Sequence, residues 1–263
     1  MKYNYHTHTY RCGHAENIKD EEMLLKYIYK GFDVVCFTDH APLKNRVDKR
    51  NNMRMRYEEL EEYLMSINNL KEKYKDNIKI YSGFECEYLP CLYDEIINLK
   101  NKSDYILLGQ HFIIDNNGNL KIFRCHDFTD EDLFIYASLI EEAVTKGLCS
   151  AVVHPDIFML SRNSFGVTEK KVANIICDVC SKYNIPIEIN LGEIYWYLKG
   201  VKNKISYPSK EFFKEASKYD VKVIYGIDAH FKEQIEMFEE EKALADSIIG
   251  EDILNKLNIV DRL

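Results

Sequence analysis

A chain of 263 residues, 46% of them hydrophobic, can bury a sizeable core, which excludes global disorder and makes a disulfide-stapled scaffold unnecessary. The net charge of −8, without a long Lys/Arg run, argues against a binder of long nucleic acid, which presents a basic face to phosphates. No run of about 18 apolar residues reads as a membrane span, and the start Met1-Lys2-Tyr3-Asn4-Tyr5-His6 lacks the apolar stretch of a signal peptide.

In chain order, a β-rich run at 3–8 ends in His6-Thr7-His8, and His14 follows in the next loop. A helical pattern covers 19–30. The second β run, 33–38, leads into Asp39-His40, and a polar, basic stretch at 38–55 with little periodicity predicts a long loop. A helix over 56–74 comes next. The third β run, 78–85, ends in Gly83-Phe84-Glu85 and precedes a helix at 93–100. The fourth, 105–109, leads to Gln110-His111. Residues 112–123 then hold two short apolar runs around Asp115-Asn116-Asn117-Gly118, which predicts a hairpin. A helix at 130–146, a β run at 151–154 ending on His154, a helix at 168–182, a β run at 185–190 and a helix at 209–218 follow. The last β run, 221–226, leads to Asp228-Ala229-His230, and a final helix spans 232–249. Seven β units, each followed by a helical one, predict parallel strands with crossover helices, and the lack of linkers or repeats predicts one domain over 1–263.

Seven of the eight histidines, together with Glu85 and Asp228, lie at or just beyond the C-terminal ends of these strands. In a parallel barrel those ends share one face, where active sites are built. Any one histidine is more often a satisfied core or surface residue; the shared register of seven speaks against that reading for the set. Residues i and i+2 on a strand point to the same side, so His6 and His8 can bind one ion together, and Asp228 and His230 repeat the device. Imidazole and carboxylate suit Zn²⁺, Fe or Mn²⁺. Nine ligands exceed what one ion takes, so two or three ions sharing bridging carboxylates are expected. No Walker loop, HExxH helix or GxSxG elbow competes.

The strings HTHT, TDH, GFE, GQH, HPD and GIDAH, in this order, resemble the PHP (polymerase and histidinol phosphatase) superfamily. Residues 4–16, with HTHTYRCGHAE, look like its stand-alone histidinol phosphatases, and the resemblance covers roughly residues 3–235. It implies an α/β fold, a distorted (β/α)7 TIM-like barrel, with three divalent metal ions (Zn, Fe or Mn). His6, His8, Glu85 and Asp228 would hold one ion. Glu85, His111 and His154 would hold a second, with Glu85 as the bridge, and His14, His40 and His230 the third. The implied activity is that of a metal-dependent phosphoesterase on a small phosphorylated substrate, most specifically L-histidinol phosphate, giving L-histidinol and phosphate. Water acidified towards a pKa of about 7 would supply the nucleophile, and Asp228 or His230 would serve the leaving alkoxide. The alternative substrate is a nucleotide or short oligonucleotide. A non-catalytic metal-binding or partner-binding domain is a third reading, which the complete ligand set disfavours.

The sequence departs from the resemblance after the sixth strand. Histidinol phosphatases are expected to place a phosphate-binding arginine there, and residues 188–197 contain none. Arg162 is the expected substitute, with Lys199, Lys202 and Arg11 as others. Tyr195, in Tyr195-Trp196-Tyr197, is expected on the substrate wall, although core packing would serve equally. Asp39, Glu16, Asp156 and Glu87 adjoin ligands and could orient imidazoles. His126 stands outside the pattern and reads as a surface residue, or else as a lid contact with Arg124 beside it. Lys44, Arg46, Lys49, Arg50, Arg54 and Arg56 make a basic stretch, either a solvated surface or a phosphate-steering lid. Cys177 and Cys180 form a single CxxC pair amid helical apolar spacing, so buried core thiols are expected. The eight scattered cysteines fit reduced thiols in a cytoplasmic protein.

Overall fold

The structure, a computed structural model, describes residues 1–44 and 53–263. Its strands are β1 (Tyr3–Asn4), β2 (Val34–His40), β3 (Lys79–Cys86), β4 (Tyr105–Leu108), β5 (Phe112–Ile114), β6 (Leu120–Ile122), β7 (Ala151–Val152), β8 (Ile187–Asn190), β9 (Lys222–Gly226) and β10 (Asn258–Ile259). Its helices are α1 (Asp20–Tyr29), α2 (Leu60–Lys73), α3 (Tyr93–Lys100), α4 (Asp130–Thr145), α5 (Val167–Lys182), α6 (Gly192–Leu198), α7 (Lys210–Ala216), α8 (Lys232–Ile249) and α9 (Glu251–Leu254). β5 and β6 pair as the predicted antiparallel hairpin. The other eight strands form one parallel sheet in chain order.

That sheet curls into a distorted barrel. At the C-terminal ends of the strands the seam closes between the extensions of β1 and β9. A parallel bridge joins Thr7 to Ala229, and His8 N–H donates to the Ala229 carbonyl at 2.9 Å. At the opposite end β10 pairs with β9, and the Tyr3 hydroxyl donates to the Val260 carbonyl at 2.6 Å. The last strand therefore fills the seam where the barrel begins. β10 and α6 were not predicted.

Period-two alternation sorts the side chains. On β2, Val35 and Phe37 pack in the main core between sheet and helices, while Val34 and Cys36 join a smaller cluster inside the barrel with Tyr3, Tyr5, Leu107, Ala151, Val153 and Ile224. Phe37 and Phe84 are fully buried, each contributing roughly 1.5–3 kcal/mol. Before α4 a capping box forms: the Thr129 hydroxyl accepts from Asp132 N–H while the Asp132 carboxylate accepts in return. Cys177 and Cys180 lie buried in α5 as expected, and all eight cysteines are free. Among the described residues no helix is long and apolar enough to cross a membrane.

Candidate metal centre

The inward faces that carry the small apolar cluster also carry the site, a step or two further along each strand. On β3 the alternation Tyr81, Gly83, Glu85 brings Glu85 to the mouth; on β8 Glu188 and Asn190 face the same way. Two glycines make room for the carboxylates. A Cβ on Gly109 would lie 2.0 Å from Glu85 Oε1, and one on Gly226 would lie 1.6 Å from Glu188 Oε1. His154 and Asp228 adopt φ of 32° and 55°, a left-handed conformation that non-glycine residues hold chiefly where a site requires it.

All nine expected ligands converge. Asp228 Oδ1 lies 3.5 Å from His6 Nε2 and 3.1 Å from His8 Nε2. The two oxygens of Glu85 face different imidazoles. Oε2 lies 3.5 Å from both His6 Nε2 and His8 Nε2 and 3.0 Å from His40 Nδ1. Oε1 lies 2.7 Å from His154 Nε2 and 3.3 Å from His111 Nε2. Such a carboxylate is placed to bridge. The His230 ring stacks on His8 at 4.0 Å between centroids and lies 4.5 Å from His14, with His40 5.3 Å from His14. The donor atoms of His8, His40 and His230 lie within 4.8 Å of one another, as do those of Cys12, His14 and His230.

Hydrogen bonds fix four of these rings with Nε2 left over. His6 Nδ1–H donates to Glu188 at 2.9 Å and His111 Nδ1–H to Glu87 at 2.9 Å. His14 donates to the Cys12 carbonyl at 3.1 Å and His230 to the Asp228 carbonyl at 2.9 Å. A ring held through Nδ1–H presents Nε2 as a metal donor. Buried nitrogens without a hydrogen-bond partner include Nε2 of His6, His8 and His230. A buried polar atom left so is costly, and divalent ions bound by imidazole and carboxylate would satisfy it. The residues thus fit the expected metals.

Carboxylates and imidazoles also set one another's charge. Burial opposes ionisation of Glu85, yet His111, His40 and His6 hold its carboxyl well below the usual range. Burial likewise opposes Asp228, and His6 and His8 hold it well down. Burial disfavours a charged His6, but Asp228, Glu188 and Glu85 push it up to about 10. Burial, helped by His8 and His111, takes His40 down to about 4 against the pull of Glu85.

Of the residues expected behind the ligands, Asp39 lies 3.6 Å from His8 Nδ1, and Glu87 supports His111. Both oxygens of Glu87 also accept from Nη2 of buried Arg54, at 3.1 Å each; burial raises its pKa, but Arg54 and His111 bring it to about 2. Arg54, drawn from the basic stretch, is therefore neither solvated surface nor steering lid. Arg56 is exposed beside Glu59; Arg46, Lys49 and Arg50 lie outside the described residues. Glu16 and Asp156 orient no imidazole: they accept the backbone N–H of Lys232 at 2.9 Å and of Ser209 at 2.6 Å. Glu188, which sequence reasoning passed over, is the missing partner of His6. Its signal was a carboxylate between two isoleucines of a buried strand.

A cavity of about 290 Å³ opens above the ligands, walled by Phe112, Phe123, Leu160, Trp196, Tyr207 and Phe231. The two expected substrate residues lie off the cavity wall. Arg162 is spent on Glu169 at 2.7 Å, on Asp130 and on the Phe128 carbonyl at 3.1 Å, and it does not line the cavity. Tyr195 stacks on Phe231 and donates to Glu233 at 3.0 Å, leaving its neighbour Trp196 on the wall. Lys199 pairs with Glu233, and Arg11 with Asp20 and Glu62. His126 is exposed, its Nδ1 beside Ile122, as a surface residue would be.

The model of the PHP domain matches residues 4–192, a stretch carrying seven of the nine converging residues. The chain belongs to the PHP domain family. This PHP chain is 24% identical over 234 residues to a protein of Deinococcus radiodurans named probable histidinol-phosphatase, covering 86% of this chain and 85% of that one. It is 30% identical over 136 residues to the histidinol-phosphatase of Bacillus subtilis, 49% of each chain. Among solved structures, the Lactococcus lactis histidinol phosphate phosphatase complexed with zinc, L-histidinol and phosphate superimposes with a TM-score of 0.66 at 17% identity, covering 93% of both chains. A Listeria monocytogenes chain described as a candidate histidinol phosphatase gives 0.73 at 23% identity, covering 89% of this chain and 97% of that one. The two solved structures share the fold of this chain.

Proposed function

We propose that the protein is a metal-dependent phosphomonoesterase that releases inorganic phosphate from a small phosphorylated substrate at a centre of three divalent ions. The observation that carries this reading is the convergence of nine side chains able to bind metal, with buried imidazole nitrogens left unpartnered at the floor of a cavity. In the proposal His6, His8, Glu85 and Asp228 hold one ion, Glu85, His111 and His154 a second, and His14, His40 and His230 the third. Zinc, iron and manganese all suit such donors.

Ions held there would acidify a water for attack on phosphorus and neutralise the phosphoryl oxygens. The protein's part is to place and to exclude. Glu85 keeps its two oxygens towards different imidazoles, Glu188 and Glu87 lock His6 and His111, and the aromatic walls shed water from the reacting group. Asp228 and His230 both line the cavity; of the two, Asp228 would exchange a proton with the leaving oxygen, since His230 gives its Nδ1–H to the Asp228 carbonyl and would give Nε2 to an ion.

L-histidinol phosphate is the first substrate to try, supported by the names of the relatives and by the ligands of the Lactococcus lactis structure. The wall of Trp196 and Phe231 suits a planar aromatic group, so nucleoside monophosphates come second. The test is phosphate release from a panel of both by the metal-loaded protein, with chelator-treated protein as control. Turnover of histidinol phosphate above the nucleotides is expected. No turnover of any monoester with metals fully loaded would sink the reading.

A further inference from the structure

We propose that Arg124, on the turn after the β5–β6 hairpin, grips the phosphate oxygens of the substrate; this rests on the phosphomonoesterase reading. Among the described residues lining the cavity, the cationic ones are Arg54 and Arg124. Arg54 is buried and committed to Glu87 and the Ala41 carbonyl. Arg124 keeps 47% of its side chain exposed.

Its surroundings hold it without consuming its charge. Arg124 Nη2 lies 3.4 Å from Glu193 Oε1 and 3.4 Å from the Tyr207 hydroxyl, both long contacts that a bidentate phosphate would outcompete. The same Oε1 of buried Glu193 already takes Lys202, and Oε2 accepts from the Ser206 and Tyr207 backbone. One carboxylate thus faces two cations, leaving a positive charge over at the cavity wall. Tyr207 ties that charge to the metal floor, with its ring 6.3 Å from the His154 ring and its hydroxyl on Arg124. Arg124 itself holds φ 74°, fixed by the turn. A guanidinium fork matches two phosphoryl oxygens at once, which a lysine point charge cannot do.

The experiment uses the metal-loaded protein and inorganic phosphate as the probe. R124A, R124K and R162A are compared with the parent by calorimetric phosphate binding, bound metal content and kinetics on whichever monoester the parent hydrolyses. Expected for R124A are phosphate binding and kcat/KM weakened about tenfold or more at unchanged metal content. R124K should recover part of the loss, added guanidinium part of the activity, and R162A should match the parent. Phosphate binding by R124A within twofold of the parent overturns the proposal. So does loss of metal, which would make Arg124 a structural residue, and so does a raised KM with phosphate binding unchanged, which would place it on the leaving group. If the parent binds phosphate through Arg124 yet hydrolyses no monoester, the grip stands and the phosphomonoesterase reading falls.

Discussion

At the end where its strands begin, the barrel's inward positions carry Tyr3, Tyr5, Val34, Cys36, Leu107 and Ile224; at the end where they finish, the same faces carry His40, Glu85, Gly109, Asn190, Gly226 and Asp228. The first end satisfies itself. Tyr5 and Tyr81 meet the Tyr105 ring edge-on at 5.6 and 4.9 Å, and β10 closes the seam. The second end buries imidazoles and carboxylates with nitrogens left unpartnered and two residues at positive φ. Stability therefore resides at one end and stored cost at the other, where bound ions would offset it. Substitutions at the two ends should separate activity from stability.

The largest effect is expected at the bridge. Glu85→Gln should abolish stable metal binding and lower phosphatase activity by more than the roughly 10–100-fold that outer partners of metal ligands are worth, with the circular dichroism of the barrel retained. Retained metal and activity would break the comparison. Next come the supports of His6. Glu188→Gln, and Gly226→Ala through its collision with Glu188, should each weaken metal binding about 10–100-fold, read by competition with a chelator. Equal affinity in both variants would leave Glu188 a mere filler of the barrel.

A third test contrasts buried carboxylates. Glu85, ringed by imidazoles, is held far down, whereas buried Glu241 on α8 has both oxygens unpartnered and is pushed up to about 9 by burial and then by Glu240. Its folded pKa exceeds the unfolded value, so its contribution is fullest at acid pH and is lost as pH rises from about 4.5 to about 9. Glu241→Gln should accordingly stabilise the protein at pH 7 by on the order of 1–3 kcal/mol, with little gain at pH 4.5. A gain in Tm independent of pH would contradict this. The smallest effect belongs to the opposite end: Tyr3→Phe removes the hydroxyl on Val260 and should cost about 1 kcal/mol in denaturant melts with kinetics unchanged.

What the sequence made legible follows from geometry. Strand ends mark one face of a parallel barrel, so His6, His8, His40, Glu85, His111, His154 and Asp228 could be grouped without coordinates. Glu188 escaped because its role depends on β8 facing His6 across the barrel, 182 positions away. The expectation fell on Arg162 rather than Arg124, and only tertiary pairing separates them: Glu169 and Asp130 neutralise the first, while Glu193 already serves Lys202 beside the second. Glu16 and Asp156 adjoin ligands in sequence, yet their carboxylates turn to the backbone of neighbouring segments.

The most direct test of the central claim is metal stoichiometry, measured by elemental analysis of the protein after dialysis against Zn²⁺ or Mn²⁺. The account predicts saturation at three ions per chain, with Glu85→Gln falling well short. Saturation at none or one, with the barrel folded, would contradict it.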